Sequence, residues 1–226
     1  MATNKARELL EELRTVLGGG STLIDSVLPP LMFVVLNAIF GFTVAMWGSL
    51  AVALGIAIFR LLRGQSLGYV AGGLGGVLLA IALAQLLDRA EGYFLPSIVT
   101  NALLTLTAFV SALVGRPMVA WTSHITRGWP WKWYWHPRVR PAYTEVTLAW
   151  GVFFGLRLAL QLALLQQQAT GWLAVVQVVM GWPALIVLLV FSYLYGIWRL
   201  RKLGGPSVEE FKQGDEPPWE GQQRGF

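Results

Sequence analysis

The sequence has no cysteine among its 226 residues and only two histidines, His124 and His136. This excludes disulfide staples, thiolate metal sites and cysteine nucleophiles. Two histidines cannot by themselves build a His-rich metal site. Charge is the second shortage. Asp, Glu, Lys and Arg make up 13% of the chain, against about 25% in a soluble domain. Hydrophobic residues make up 55%. A soluble domain of this length would need a charged surface that this chain lacks, and a disordered chain would lack this apolar content. The net charge of +5 suits either a nucleic-acid binder or a membrane protein with basic loops. No P-loop, Gly-x-Ser-x-Gly, HExxH or paired carboxylates within an apolar stretch occur. Neither a cofactor nor a metal is expected, and the chain is read as a non-enzyme.

What the sequence does have is long apolar runs. A membrane-spanning helix needs about 20 mostly apolar residues. Six stretches qualify, at about 24–40, 43–62, 68–87, 94–115, 146–165 and 172–198. The expected fold is all-α: a polytopic bundle of six transmembrane helices within residues 21–202. Gly41 separates the first two stretches, so they form a tight hairpin. Pro183 lies near the middle of the last and long stretch, predicting a kink. Residues 1–17 place Leu9, Leu10, Leu13, Val16 and Leu17 on one face of an amphipathic helix, and Gly18–Gly20 end it. No cleavable signal is visible. The tail, 203–226, is rich in Gly, Pro, Glu and Gln and is read as disordered.

Basic residues orient such a bundle, because Lys and Arg collect in cytoplasmic loops. With six spans, fifteen of the seventeen Lys and Arg fall on the side that carries both termini. Arg89 stands alone on the other side, and Arg157 lies inside the fifth stretch. This predicts a multi-pass protein of a bacterial inner membrane with both termini cytoplasmic.

Polar side chains are costly at membrane depth, so their positions carry information. Arg157 lies well inside its helix, with Gln161 one turn further along. Asn37, Gln85, Asn101 and Gln177 fall at a similar depth, toward the outer side. Asp88 and Glu91 lie just beyond and are the nearest acids to pair with Arg157. Two readings compete. One is interhelical glue, at about 0.6–2 kcal/mol per hydrogen bond. The other is an outward-facing polar cavity around Arg157 that carries a solute or ion.

Gly68, Gly72 and Gly76 recur at intervals of four, and small residues at that spacing let a second helix approach closely. Close packing within the chain and a homodimer seam are both open. Residues 116–145 form a loop with Trp129, Trp131, Trp133 and Trp135 interleaved with Lys132, Arg138 and Arg140. Such interleaving also suits single-stranded nucleic acid. Beside two spans, the lipid headgroup layer explains it better, and no nucleic-acid partner is expected. The expected partners are the bilayer and a membrane protein or a second copy.

Four segments carry a family resemblance: GGGSTLIDSVLPPLMFVVLNA, FRLLRGQSLGYVAGGLGGV, GYFLPSIVTNALLTLTAFVSALVGRPMVAW and FFGLRLALQLALL. Together, across residues 18–200, they resemble the bacterial domain-of-unknown-function family 3159, a family of membrane proteins. The third segment is also similar, more distantly, to the intracellular septation protein A family through Pro96, Asn101, Gly115, Arg116 and Pro117. The resemblance implies a membrane protein that works in the cell envelope through partners rather than chemistry. It marks Asp25, Pro29, Arg60, Pro96, Asn101, Pro117, Arg157 and Gln161 as pattern positions and assigns none of them a role.

Overall fold

The computed structural model describes residues 21–223 and 225–226. The amphipathic helix expected at 1–17 lies outside them. Among the described residues every regular element is helical. The helices are α1 (Ser21–Phe40), α2 (Phe42–Leu62), α3 (Leu67–Leu86), α4 (Leu95–Leu113), α5 (Met118–Arg127) and α6 (Trp131–Tyr134), followed by α7 (Arg140–Gln166), α8 (Thr170–Val179), α9 (Trp182–Leu203) and α10 (Val208–Gln213). A 3₁₀ turn over Ala90–Phe94 leads into α4. The six apolar stretches of the sequence are thus helical at α1, α2, α3, α4, α7 and α8–α9.

Among the described residues, four helical segments are long and apolar enough to cross a membrane: Phe42–Leu62, Ala90–Leu113, Arg140–Gln166 and Thr170–Leu203. Leu28–Phe40 and Val70–Leu86 are shorter apolar helices. Large apolar side chains face outward along these segments, among them Leu103 and Leu106 on α4 and Leu156 and Leu160 on α7. A lipid-facing surface looks like this, whereas a soluble monomer rarely exposes apolar surface so continuously. The chain is a multi-pass membrane protein.

The chain divides into two compact units. One holds residues up to Thr100 together with Leu158–Ala184, and the other holds Asn101–Arg157 and Leu185–Phe226. In the first unit Gly41, at φ 80°, turns α1 directly into α2, and its N–H closes on the Asn37 carbonyl at 3.2 Å. Only a residue without Cβ adopts that backbone cheaply. Phe33, fully buried, stacks on Tyr93 with ring centroids 4.2 Å apart and meets Phe42 edge-on. Ala45, Ala80, Ala84, Leu173 and Ala174 complete this core. Gly92 touches the α3 backbone there, since a Cβ on it would lie 2.8 Å from Ala84 Cα.

The kink expected at Pro183 sits slightly earlier. α8 ends at Val179 and α9 begins at Trp182, so the break falls on Met180 and Gly181. Pro183 occupies the first turn of α9, where its missing N–H costs nothing. Pro29 and Pro30, in contrast, lie inside α1.

In the second unit α4 and α7 run antiparallel at close range. A Cβ on Gly151 would lie 3.2 Å from Ala108 Cβ, and one on Gly155 would lie 3.5 Å from Thr105 Cγ2. α7 is clipped to α9 by polar contacts. Trp150 Nε1 donates to Ser192 Oγ at 2.8 Å. Arg199 donates to both oxygens of Glu145 at 2.7–3.0 Å, and the Tyr195 hydroxyl donates to Glu145 Oε2 at 2.7 Å.

The ends of α7 and α9 carry a second hydrophobic core. It contains Trp133, Tyr134, Val139, Tyr143, Leu200 and Val208. Here the structure corrects the disorder expected of residues 203–226. Ser207 and Glu210 form a reciprocal capping box at the start of α10. Val208 is buried, Trp133 Nε1 donates to the Pro206 carbonyl at 2.9 Å, and Phe226 stacks on Tyr143 at 4.3 Å. The composition of the tail is that of a loop. Three apolar side chains, Val208, Phe211 and Phe226, are enough to seat it because the aromatic core offers them a place.

Candidate functional site

The polar residues at depth separate into bonded and exposed groups. α4 and α7 each carry polar residues at helical spacing: Ser97, Asn101 and Thr105 on one, Arg157 and Gln161 on the other. In the first unit Gln161 is fully buried. Its Nε2 donates to Ser97 Oγ at 3.1 Å and to Gln177 Oε1 at 3.4 Å, while Ser97 Oγ donates to Gln177 Oε1 at 2.8 Å. One triangle of hydrogen bonds thereby ties α4, α7 and α8 together. Glu91 is buried and accepts a short hydrogen bond from the Thr170 hydroxyl at the start of α8.

Gln161 and Gln177 thus take part in interhelical hydrogen bonds, whereas Glu91, read from the sequence as an acid for Arg157, is bonded to Thr170; the hydroxyl partners Ser97 and Thr170 carry no such expectation. A Ser or Thr near a helix start reads as a cap or turn residue, and nothing local marks it as a tertiary donor. Asn101 and Arg157 are buried in the second unit, and the Asn101 carbonyl accepts from the Thr105 hydroxyl at 2.7 Å. Gln85 and Asp88 are exposed and Asn37 is half-buried. The exposed pair lies outside this buried layer. Gln85 lies in the last turn of α3, at the rim of the face that buries Ala80 and Ala84, and Asp88 follows in a left-handed turn at φ 50°.

Among the described residues, the glycines of α3 make no close packing contact. A Cβ added to Gly68, Gly72, Gly73, Gly75 or Gly76 would meet no neighbouring atom within 4 Å. The opposite face of α3 is packed through Val70, Ala80 and Ala84. Toward that packed side a small cavity of about 40 Å³ lies among Pro29, Ala57, Arg60, Val70 and Gly73.

The Trp-rich loop needs a larger correction. Trp133 is completely buried, and an indole without exposed surface cannot sit in a headgroup layer. Its ring meets Trp129, Tyr134 and Tyr143 edge-on at 5.1–6.1 Å. Trp129, Trp131 and Trp135 are half-buried in the same cluster. Trp131 stacks on His124 at 3.8 Å and on Trp135 at 5.7 Å, and His124 Nδ1 bonds the Trp129 carbonyl at 2.6 Å. Lys132, Arg138 and Arg140 are exposed, as expected. Arg138 is also engaged with the tail, donating to the Gly204 carbonyl at 3.2 Å and lying over the Trp219 ring. Burial pushes the Tyr134 hydroxyl up to about 12, and its hydrogen bond with Ser123 and the nearby Arg127 only partly offset that. It therefore stays protonated and donates to Ser123 Oγ at 3.0 Å.

No three His, Asp or Glu side chains among the described residues are placed to share a metal ion. The first unit thus holds hydrogen bonds between helices and an open glycine face, and the second holds the ring stacks. No curated protein and no solved structure matches the chain. The model of a family described as a protein of unknown function, DUF3159, matches residues 17–201. The chain belongs to the DUF3159 family.

Proposed function

We propose that this is a six-span, non-catalytic bacterial inner-membrane protein with both termini cytoplasmic, and that it acts by associating with a second copy of itself through the glycine face of α3. The open glycine face carries this reading. Between membrane helices, lipid is as apolar as leucine, so association depends on close backbone contact and favours small residues. Gly68, Gly72 and Gly76 offer that contact on a face of α3 that no described residue covers within 4 Å of an added Cβ. Six spans and a cytoplasmic placement are supported by the fifteen of seventeen basic residues that then share one side. The alternative, a solute path around Arg157, draws less support, because the buried amide of Gln161 is engaged with Ser97 and Gln177.

The absence of cysteine makes the test clean. Gly72→Cys and Gly76→Cys should each form disulfide-linked dimers on oxidation in native membranes. Gly72→Leu combined with Gly76→Leu should abolish the dimer. A Cβ at either position meets no described atom within 4 Å, and replacing each helical glycine favours the helix by up to about 1 kcal/mol. The double variant should therefore be no less stable than wild type. No cross-link at either position, with a monomer in lipid nanodiscs, would overturn the proposal.

A further inference from the structure

Helix α5 divides lengthwise into three sectors at about 100° per residue. Ala120 and Ser123 are buried against the aromatic core. Thr122 and Thr126 are exposed and turn their hydroxyls back onto the helix's own carbonyls. Between these sectors runs an outward apolar stripe of Met118, Trp121 and Ile125, with Trp121 49% and Ile125 77% exposed. Nothing in the Trp-rich loop exposes a ring as fully.

The helix is held rigidly in this rotation. Met118 N donates to Ser111 Oγ at 3.0 Å and Val119 N to the buried Thr147 Oγ1 at 3.2 Å. The Tyr134–Ser123 hydrogen bond fixes the middle, and Gly128, at φ 67°, ends the helix. α5 begins five residues after α4 ends, and Leu113, the last residue of that span, and Val114 just after it are 85% and 69% exposed. The apolar surface of the span therefore continues into the stripe. Along the chain the segment's own charge has one sign; the seated tail brings acidic side chains nearby, Glu209, Glu210, Asp215, Glu216 and Glu220. Residues 92–144 contain five Lys and Arg and no Asp or Glu.

From the stripe, its continuity with α4 and this charge, we infer that α5 is an in-plane interfacial helix, seated in the acyl–headgroup boundary of an anionic phospholipid leaflet. Trp121 and Ile125 enter the acyl edge, Thr122 and Thr126 face water, and Arg116 and Lys132 meet lipid phosphates. A helix with one apolar and one polar face beside basic residues binds membranes in this way. The inference rests on the membrane placement of Ala90–Leu113 and not on association through α3.

Spin-label depth measurements in proteoliposomes test it. Single-cysteine variants Ile125→Cys, Thr126→Cys and Leu103→Cys are labelled and exposed to oxygen, which partitions into lipid, and to a water-soluble nickel chelate. Leu103 lies mid-span and is 59% exposed, so it reports membrane placement independently. The expected result is an oxygen-favoured label at 125, about 5–10 Å deep, and a chelate-favoured label at 126. The label at 125 should become shallower when phosphatidylglycerol is replaced by phosphatidylcholine. If 103 reads as lipid while 125 reads as water, the inference fails and the membrane placement stands. If 125 is immobilised and shielded from both reagents, a protein covers the stripe and the lipid assignment is overturned. If 103 also reads as water, the membrane placement itself is wrong.

Discussion

Replacing Trp133 by alanine separates two accounts of the aromatic loop. If the ring were an interfacial anchor, its loss would alter membrane depth and barely touch folding. Surface substitutions stay within about 0.5 kcal/mol. The structure instead buries Trp133 completely, against Trp129, Tyr134 and Tyr143, with its Nε1–H on the Pro206 carbonyl. Truncating a buried Trp to Ala costs about 3–5 kcal/mol through lost transfer energy and a residual cavity. Each 1.4 kcal/mol is tenfold, so the opening equilibrium of this core should rise by roughly two to three and a half orders of magnitude. Trp133→Phe keeps most of the ring and loses the hydrogen bond, a loss of about 0.5–1.5 kcal/mol plus the cost of a stranded carbonyl. Trp121→Ala, on an exposed ring, is the control. Hydrogen–deuterium exchange in proteoliposomes, read over residues 118–143 and 204–223, measures all three. The expected order of lost protection is Trp133→Ala, then Trp133→Phe, then Trp121→Ala near wild type. Equal protection in Trp133→Ala and Trp121→Ala would refute the buried core.

Two further outcomes follow from the same contacts. In the polar triangle, Gln161→Leu and Ser97→Ala should be coupled in a double-mutant cycle of detergent unfolding by about 0.6 kcal/mol, and by no more than about 1.7; additive effects would mean that the bond between them contributes nothing. Seating of the tail should weaken in acid in two steps. Burial and the neighbouring Arg138 hold His136 below its usual 6.5, and its Nδ1 accepts the Arg138 backbone N–H at 3.2 Å, which requires the neutral ring. Burial draws the Glu210 carboxyl upward, but hydrogen bonds from Ser207, Glu220 and Gly221 outweigh it and hold the group below its usual 4.5. Both groups have lowered values in the folded state, so each contributes fully above its unfolded value and loses that contribution as pH falls through its folded one. Exchange protection at 204–223 should therefore be greatest near neutrality, fall first below pH 6.5 and fall again below pH 4.5. His136→Gln should remove the first step alone, and a single step unaffected by that change would contradict the assignment.

The helices were legible because apolar runs of membrane length leave the backbone no other way to satisfy its hydrogen bonds. Gly41 and the break near Pro183 were legible for local reasons of backbone geometry. Partners across the chain were not. Gln161 announces itself by being polar at depth, but Ser97, its acceptor, looks like any serine in a first turn, and the two lie 64 residues apart. The loop shows the same limit more sharply. Alternating Trp with Lys and Arg is what an interfacial anchor and a small aromatic core have in common, because both need rings beside charge. What decides between them is whether something covers the rings. Here the cover is the tail, whose glycine, proline and acidic composition argued against any fixed structure. Its few apolar side chains find a prepared surface, and Gly196 on α9 leaves room for one of them: a Cβ there would lie 2.2 Å from the Phe226 ring. That glycine carries no sequence signal of its own, since its partner is 30 residues away. Once the tail and Trp133 are joined, the lipid-facing role passes to the ring that the core leaves outside. Trp121, on α5, belongs to the same basic, aromatic segment as Trp133, on α6, and differs from it in facing away from the core that the tail covers.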